Sequence, residues 1–182
     1  MSAECNGVNG YMENIKVLFS QKEIAERVCA LGKEISDYYK NKSVLVLGVL
    51  NGCFMFAADL IREMKLDDVE IRFIKASSYT GTQSSGKVDF SQKEKLDLSG
   101  RNVLIVEDIV DTGKTLAELK ESILSDNPAD LKIAAFLNKP SRRITDIFPD
   151  FCCFDVPDRF VVGYGLDCDG KYRQLPYLGY IE

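Results

Sequence analysis

The stretch Val103-Leu-Ile-Val-Glu107-Asp108-Ile-Val-Asp111-Thr112-Gly113-Lys114-Thr115 holds the residue types best suited to chemistry. Two adjacent carboxylates follow an apolar β-branched run, and a hydroxyl-rich turn follows them. Open α/β sheets bind ligands at the carboxyl ends of their strands. Successive amides at a helix start, with the hydroxyls of Thr112 and Thr115, form a cradle for a phosphate dianion. A Walker A loop is excluded, because that motif needs glycine where this chain has Asp108. Carboxylates beside a phosphate repel it, so Glu107 and Asp108 must serve something else, a cation or the hydroxyls of a sugar. For Asp108 and Asp111 taken alone, a solvated acidic turn capping a helix is the plain alternative. The chain has no histidine, so acid–base work falls to Asp, Glu, Lys, Tyr or Cys, and Ser-His and Cys-His triads are excluded.

The elements that must position these groups alternate in type. Ser20-Gln-Lys-Glu23 is a capping box, and Ile24, Val28, Leu31 and Ile35 recur at helical spacing, which predicts a helix over about 21–39. Residues 44–50 are a continuous apolar run, as a strand covered on both faces requires, and Asn51-Gly52 breaks it. Helical spacing resumes to about Lys65; strands are expected at Val69 to Ala76, Val103 to Val106 and Lys132 to Leu137, with a helix carrying Leu116, Leu119 and Ile123 between the last two. This alternation predicts an α/β fold with a mainly parallel central sheet flanked by helices. Lys139 then falls at the sheet's carboxyl edge.

Two regions break the rhythm. Residues 77–96 are polar and rich in Ser, Gly and Thr, long for a structureless loop, and are expected to be functional or disordered. Past Pro140 only short strand-like pieces appear, at Phe151 to Asp155, Phe160 to Leu166 and Tyr177 to Ile181. These are expected to form a small hood with the N-terminal segment. The expected organisation is one domain over 1–182, with core 20–140 and hood 1–19 plus 141–182.

Composition excludes several classes. A net charge of -5 argues against nonspecific nucleic-acid binding. Residues 1–14 carry no basic segment followed by an apolar one, so no signal peptide is expected, and no apolar run nears the roughly 18 residues that cross a bilayer. A cytoplasmic protein, with no membrane partner, is expected. The six cysteines lack paired zinc spacing and are expected to be reduced, buried or partly buried thiols.

With these residues in place, the chain resembles the type I phosphoribosyltransferases, and within them the hypoxanthine-guanine(-xanthine) family. VLIVEDIVDTGKT is similar to their phosphoribosyl pyrophosphate motif, VLVLGVLNGCFMFAADL to their pyrophosphate loop and KASSYTGTQSSG to their mobile loop. FLNKPSRR and PDRFVVGYGLDCDGKYRQLPYLGYI resemble their base-binding segments. The resemblance implies purine salvage: phosphoribosyl transfer from phosphoribosyl pyrophosphate to N9 of a 6-oxopurine base, giving IMP or GMP (or XMP) and pyrophosphate, in a homodimer or homotetramer with Mg2+ as cofactor. It implies that Glu107 and Asp108 hold the ribose hydroxyls and reach the metal. Asp111, Thr112, Gly113, Lys114 and Thr115 would hold the 5′-phosphate, with Asp111 also the general base at N7. Leu50, Asn51, Gly52 and Arg173 would hold pyrophosphate, with a cis bond at Leu50-Asn51; many relatives carry lysine where this chain has Asn51. Lys139 would donate to purine O6, Phe160 would stack on the base, and the Val161 backbone would bind its edge. Asp167 would stand by the metal and the base, and Ser78 and Tyr79 would close the lid. By residue type alone, Lys114 and Lys139 could be surface lysines, Phe160 a core residue, Asp167 and Arg173 solvated surface, and Asn51-Gly52 an ordinary turn.

Overall fold

The computed structural model describes residues 15–75, 77–78, 88–89 and 96–181. Five parallel strands form the main sheet in the order β3 (Val69–Lys75), β2 (Val44–Leu50), β6 (Asn102–Val110), β7 (Asp130–Asn138) and β8 (Phe151–Asp155). Strand alternation divides the core. Val44, Val46, Leu104, Val106, Ala134 and Phe136 face helices α1 (Gln21–Tyr38) and α2 (Phe54–Glu63). Leu45, Leu47, Val103, Ile105, Ile133 and Ala135 face α3 (Lys114–Leu124) through Leu116, Leu119 and Ile123. The capping box at Ser20 and Glu23 is formed on both sides.

A second, antiparallel sheet joins β1 (Ile15–Phe19), β10 (Leu178–Ile181) and β9 (Val161–Val162). Two short strands, β4 (Ser77–Ser78) and β5 (Val88–Asp89), pair antiparallel. The expected lid therefore contains a β-ribbon; Ser78 sits on β4, while Tyr79 lies outside the described residues.

Several expectations need correction. Phe151–Asp155, assigned to the hood, pairs with Ala134–Asn138 and is the edge strand of the main sheet. Arg27 of α1 anchors it by donating to the Cys152 and Cys153 carbonyls at 2.6 and 3.2 Å. The strand expected over 160–166 stops at Val162, because Gly163, Tyr164 and Gly165 all have positive φ and turn the chain. The strand expected to end at Val106 runs on to Val110, with Glu107 opposite Ala135. Cys53, Cys152 and Cys153 are free and buried or half-buried as expected, whereas Cys29 is free but exposed and Cys168 is disulfide-bonded.

Candidate active site

All the strands of the main sheet run the same way, so Leu50, Glu107, Asp108 and Asn138 arrive at one edge. A cavity of about 240 Å³ opens there, lined by Leu50, Asn51, Gly52, Glu107, Asp108 and the turn Asp111 to Thr115. A second of about 490 Å³ adjoins it, lined by Lys139, Arg142, Phe160, Val161 and Asp167 among others. The two share Asp108, Ile109 and Asp111. Together they have the volume expected of a small-molecule site.

The acidic pair sits within strand β6, near its carboxyl end, rather than in the loop beyond it. Burial pushes the Glu107 carboxyl well above its usual range, and the neighbouring Asp108 charge adds to the effect. Burial raises Asp108 too, offset in part by the Ile109 amide, which donates to its Oδ1 at 2.7 Å. A Cβ on Gly52 would collide with the Asp108 carboxylate, and one on Gly165 would collide with the Gly52 carbonyl. Glycine at 52 and 165 is what lets the loop after β2 lie against both the carboxylate and the 163–166 turn. The Leu50–Asn51 peptide is cis. Asn51 is exposed.

After β6, Gly113 takes φ 84 and is the N-cap of α3, so the chain turns from strand to helix within three residues. Lys114 and Thr115 are exposed at the helix start. Asp111 Oδ1 lies 3.0 Å from Arg142 Nε, an ion pair whose geometry is not that of an aligned hydrogen bond. Arg142 also reaches Asp158 at 3.3 Å.

Lys139 is not the surface lysine its sequence context permits. It is 7% exposed, and its Nζ donates to the Arg159 carbonyl at 2.6 Å, along the wall that continues into Phe160 and Val161. Phe160 is 41% exposed, so its ring faces the cavity side rather than the core. The Ile181 amide donates to the Phe160 carbonyl at 3.2 Å, tying that wall to β10. Asp167 pairs with Arg173 at 2.6 Å, and Arg173 donates to the Gly165 carbonyl. Arg173 thus spans the 165–167 turn beside the Gly52 loop.

Among the described residues no group of three or more His, Cys, Asp or Glu side chains encloses a metal. The donor set instead offers separate carboxylates at one cavity edge, which fits Mg2+, an ion that keeps waters and takes one or two carboxylates plus substrate oxygens. Sequence reasoning missed Arg142, Arg143, Asp158 and the Gly165 contact. The paired arginines of FLNKPSRR were the available signal for the first two.

A parallel sheet ending in an acidic pair and a tight strand-to-helix turn, with a buried lysine across the adjoining cavity, is the arrangement expected of a phosphoribosyltransferase. The chain belongs to that family: residues 15–169 match the phosphoribosyl transferase domain. More particularly, it is 42% identical over 168 residues to the hypoxanthine-guanine phosphoribosyltransferase of Streptococcus pneumoniae, covering 92% of this chain and 93% of that one. It is 45% identical to the enzyme of the same name from Lactococcus lactis, covering 92% and 91%. A crystal structure of a hypoxanthine-guanine phosphoribosyltransferase from Bacillus anthracis superposes with a TM-score of 0.85 at 41% identity, over 92% of this chain and 98% of that one. A hypoxanthine phosphoribosyltransferase from Staphylococcus aureus gives 0.88 at 36%, over 98% and 97%.

Proposed function

We propose that this chain is a purine-salvage transferase that moves the 5-phosphoribosyl group of phosphoribosyl pyrophosphate to N9 of hypoxanthine or guanine, with xanthine a third candidate base. The products are IMP or GMP (XMP) and pyrophosphate. One observation carries the reading: the sugar-type and base-type cavities meet at Asp111. A carboxylate at that junction reaches both the sugar carbon and the base.

Glu107 and Asp108 accept from the ribose hydroxyls; burial raises both carboxyls in the free chain, and the hydroxyl donors with a bound cation would favour their ionised forms. The amides and hydroxyls of Asp111 to Thr115 bind the 5′-phosphate. Leu50, Asn51 and Gly52, with Arg173, hold the pyrophosphate, and Asn51 supplies no cation there. Lys139 donates to O6, Phe160 stacks on the base and the Val161 backbone binds its edge. As the bond from C1 to the pyrophosphate oxygen breaks and N9 bonds to C1, Asp111 takes the N7 proton; its negative charge also balances the cationic sugar centre. Arg142, now 3.0 Å from Asp111, must yield that oxygen as the base enters. Glu107, Asp108 and Asp167 would hold Mg2+ with substrate oxygens, and the bound ion would neutralise charge on the departing pyrophosphate. Ser78 and Tyr79 close over the site and exclude water. Cytoplasmic residence and assembly as a homodimer or homotetramer complete the proposal; sedimentation reads the latter.

Incubation with each base, phosphoribosyl pyrophosphate and Mg2+, followed by ultraviolet absorbance, tests the activity. Asp111→Asn should lower kcat by about 10²–10⁴ and change KM little. An unchanged kcat removes Asp111 from the role of base.

A further inference from the structure

The turn that would hold the 5′-phosphate is itself held from behind. The Val110 carbonyl accepts from the Lys139 amide at 3.0 Å and from Arg143 Nη2 at 2.9 Å. The Asp111 carbonyl accepts from Arg143 Nε at 3.1 Å. The Thr112 carbonyl accepts from the Ile144 amide at 3.2 Å and the Thr145 hydroxyl at 3.3 Å. Three consecutive carbonyls therefore turn toward residues 139–145. In a trans peptide the N–H points opposite its carbonyl. Fixing those carbonyls aims the amides of Thr112 and Gly113 the other way, into the cavity, and among the described residues neither amide has a backbone partner.

Arg143 is the centre of this strap. Besides Val110 and Asp111, its guanidinium donates to the Ile147 carbonyl and to Asn138 Oδ1, and it lies 5.5 Å over the Phe148 ring. Asn138 is in turn fixed by its amide donating to Asp155 Oδ1 at 2.7 Å. All four Arg143 acceptors are uncharged, and among the described residues it makes no ion pair. Its charge stays uncancelled by a direct partner beneath the phosphate cradle. A planar fork can serve diverging acceptors at once, which a lysine ammonium cannot do in the same geometry.

We propose that Arg143 is a positioning residue for the 5′-phosphate: it orients the Asp111 to Gly113 peptides so that their amides converge on that group. It lines neither of the two cavities. The assignment rests on the reading that this turn binds the 5′-phosphate.

The experiment compares GMP with guanosine as ligands of wild type, Arg143→Lys and Arg143→Gln, by competition calorimetry, alongside KM for phosphoribosyl pyrophosphate, kcat and Tm. Both variants should lose about 10- to 100-fold in GMP affinity, the worth of about one hydrogen bond to a charged group, and keep guanosine affinity within about twofold. KM for phosphoribosyl pyrophosphate should rise by a similar factor, with a smaller change in kcat. Equal losses for GMP and guanosine, or none for either, overturn the assignment. Should wild type bind guanosine as tightly as GMP, the reading of the turn itself fails, and the assignment with it. If neither variant folds, Thr145→Val, which deletes the hydroxyl donor to Thr112, decides by the same ratio: a selective loss for GMP supports the strap, and an unchanged ratio overturns it.

Discussion

Gly52→Ala places one methyl group where the structure leaves no room. The added Cβ would overlap Asp108 Oδ2, lie 2.5 Å from Asp108 Cγ and 3.2 Å from its Cβ. Rotating the carboxylate about its own Cβ–Cγ bond moves the oxygen but leaves Cγ where it is. Relief therefore requires a new χ1 or a shift of the loop after β2 against strand β6 by about 1 Å, the distance back to ordinary carbon contact. The new χ1 draws Asp108 off the Ile109 amide that now donates to it at 2.7 Å, and the shift instead displaces Asn51 and Gly52 from the cavity they line. A misplacement of that size can cost about 10²-fold in rate where geometry is tight, and the loss of a charged hydrogen bond alone costs about 1.5–3 kcal/mol. Expected is a 10- to 100-fold fall in kcat/KM for phosphoribosyl pyrophosphate. Overpacking should also lower stability by about 1–3 kcal/mol. Gly100→Ala serves as the control: its φ is 68 and nothing lies within 4 Å of an added Cβ, so it should lose about 1–2 kcal/mol of stability through backbone strain and keep its kcat/KM. Steady-state kinetics with thermal melts of both variants is the assay. A Gly52→Ala enzyme with wild-type kcat/KM, or one whose loss Gly100→Ala reproduces, refutes the reasoning.

Glu107 links stability to pH. Its carboxyl is raised well above 4.5 in the folded chain, so between that value and the raised one the folded state holds more protons than the unfolded state, and stability falls as pH rises. In metal-free buffer, Glu107→Gln should melt progressively higher relative to wild type from pH 5 to pH 8; a constant offset would show that burial does not govern this group. Lys139→Met should lower kcat/KM for hypoxanthine by about 10- to 100-fold and narrow the preference over adenine, since a donor to O6 is lost. Retained discrimination against adenine would move the O6 contact to another residue.

Local features carried the fold into view from the chain alone. The capping box at Ser20, the apolar run 44–50 and the helical spacing of Leu116, Leu119 and Ile123 each depend on neighbours a few residues apart, and each element forms as expected. The acidic pair and the turn from Asp111 to Thr115 were legible for the same reason, since strand, turn and helix N-terminus are contiguous. Phe151–Asp155 was legible as a strand but not as the edge of the main sheet, because it follows β7 without an intervening α-helix and its partner lies 17 residues back. Nor did any local pattern reveal that Tyr164 follows Gly163 into positive φ and ends β9 early.

The sequence by itself determined the α/β class, the strand edge at which the acidic pair and the glycine turn gather and the residue types found there. Only the tertiary structure decided that Lys139 is buried against the Arg159 carbonyl, that Arg142 engages Asp111, that Gly52 must lack a side chain beneath Asp108, and that Arg143 braces the turn 32 residues before it. Hydrophobic periodicity reports which face of an element is buried. It does not report which distant polar group lies opposite, because that depends on how separate elements dock, and the docking also sets the desolvation that raises Glu107.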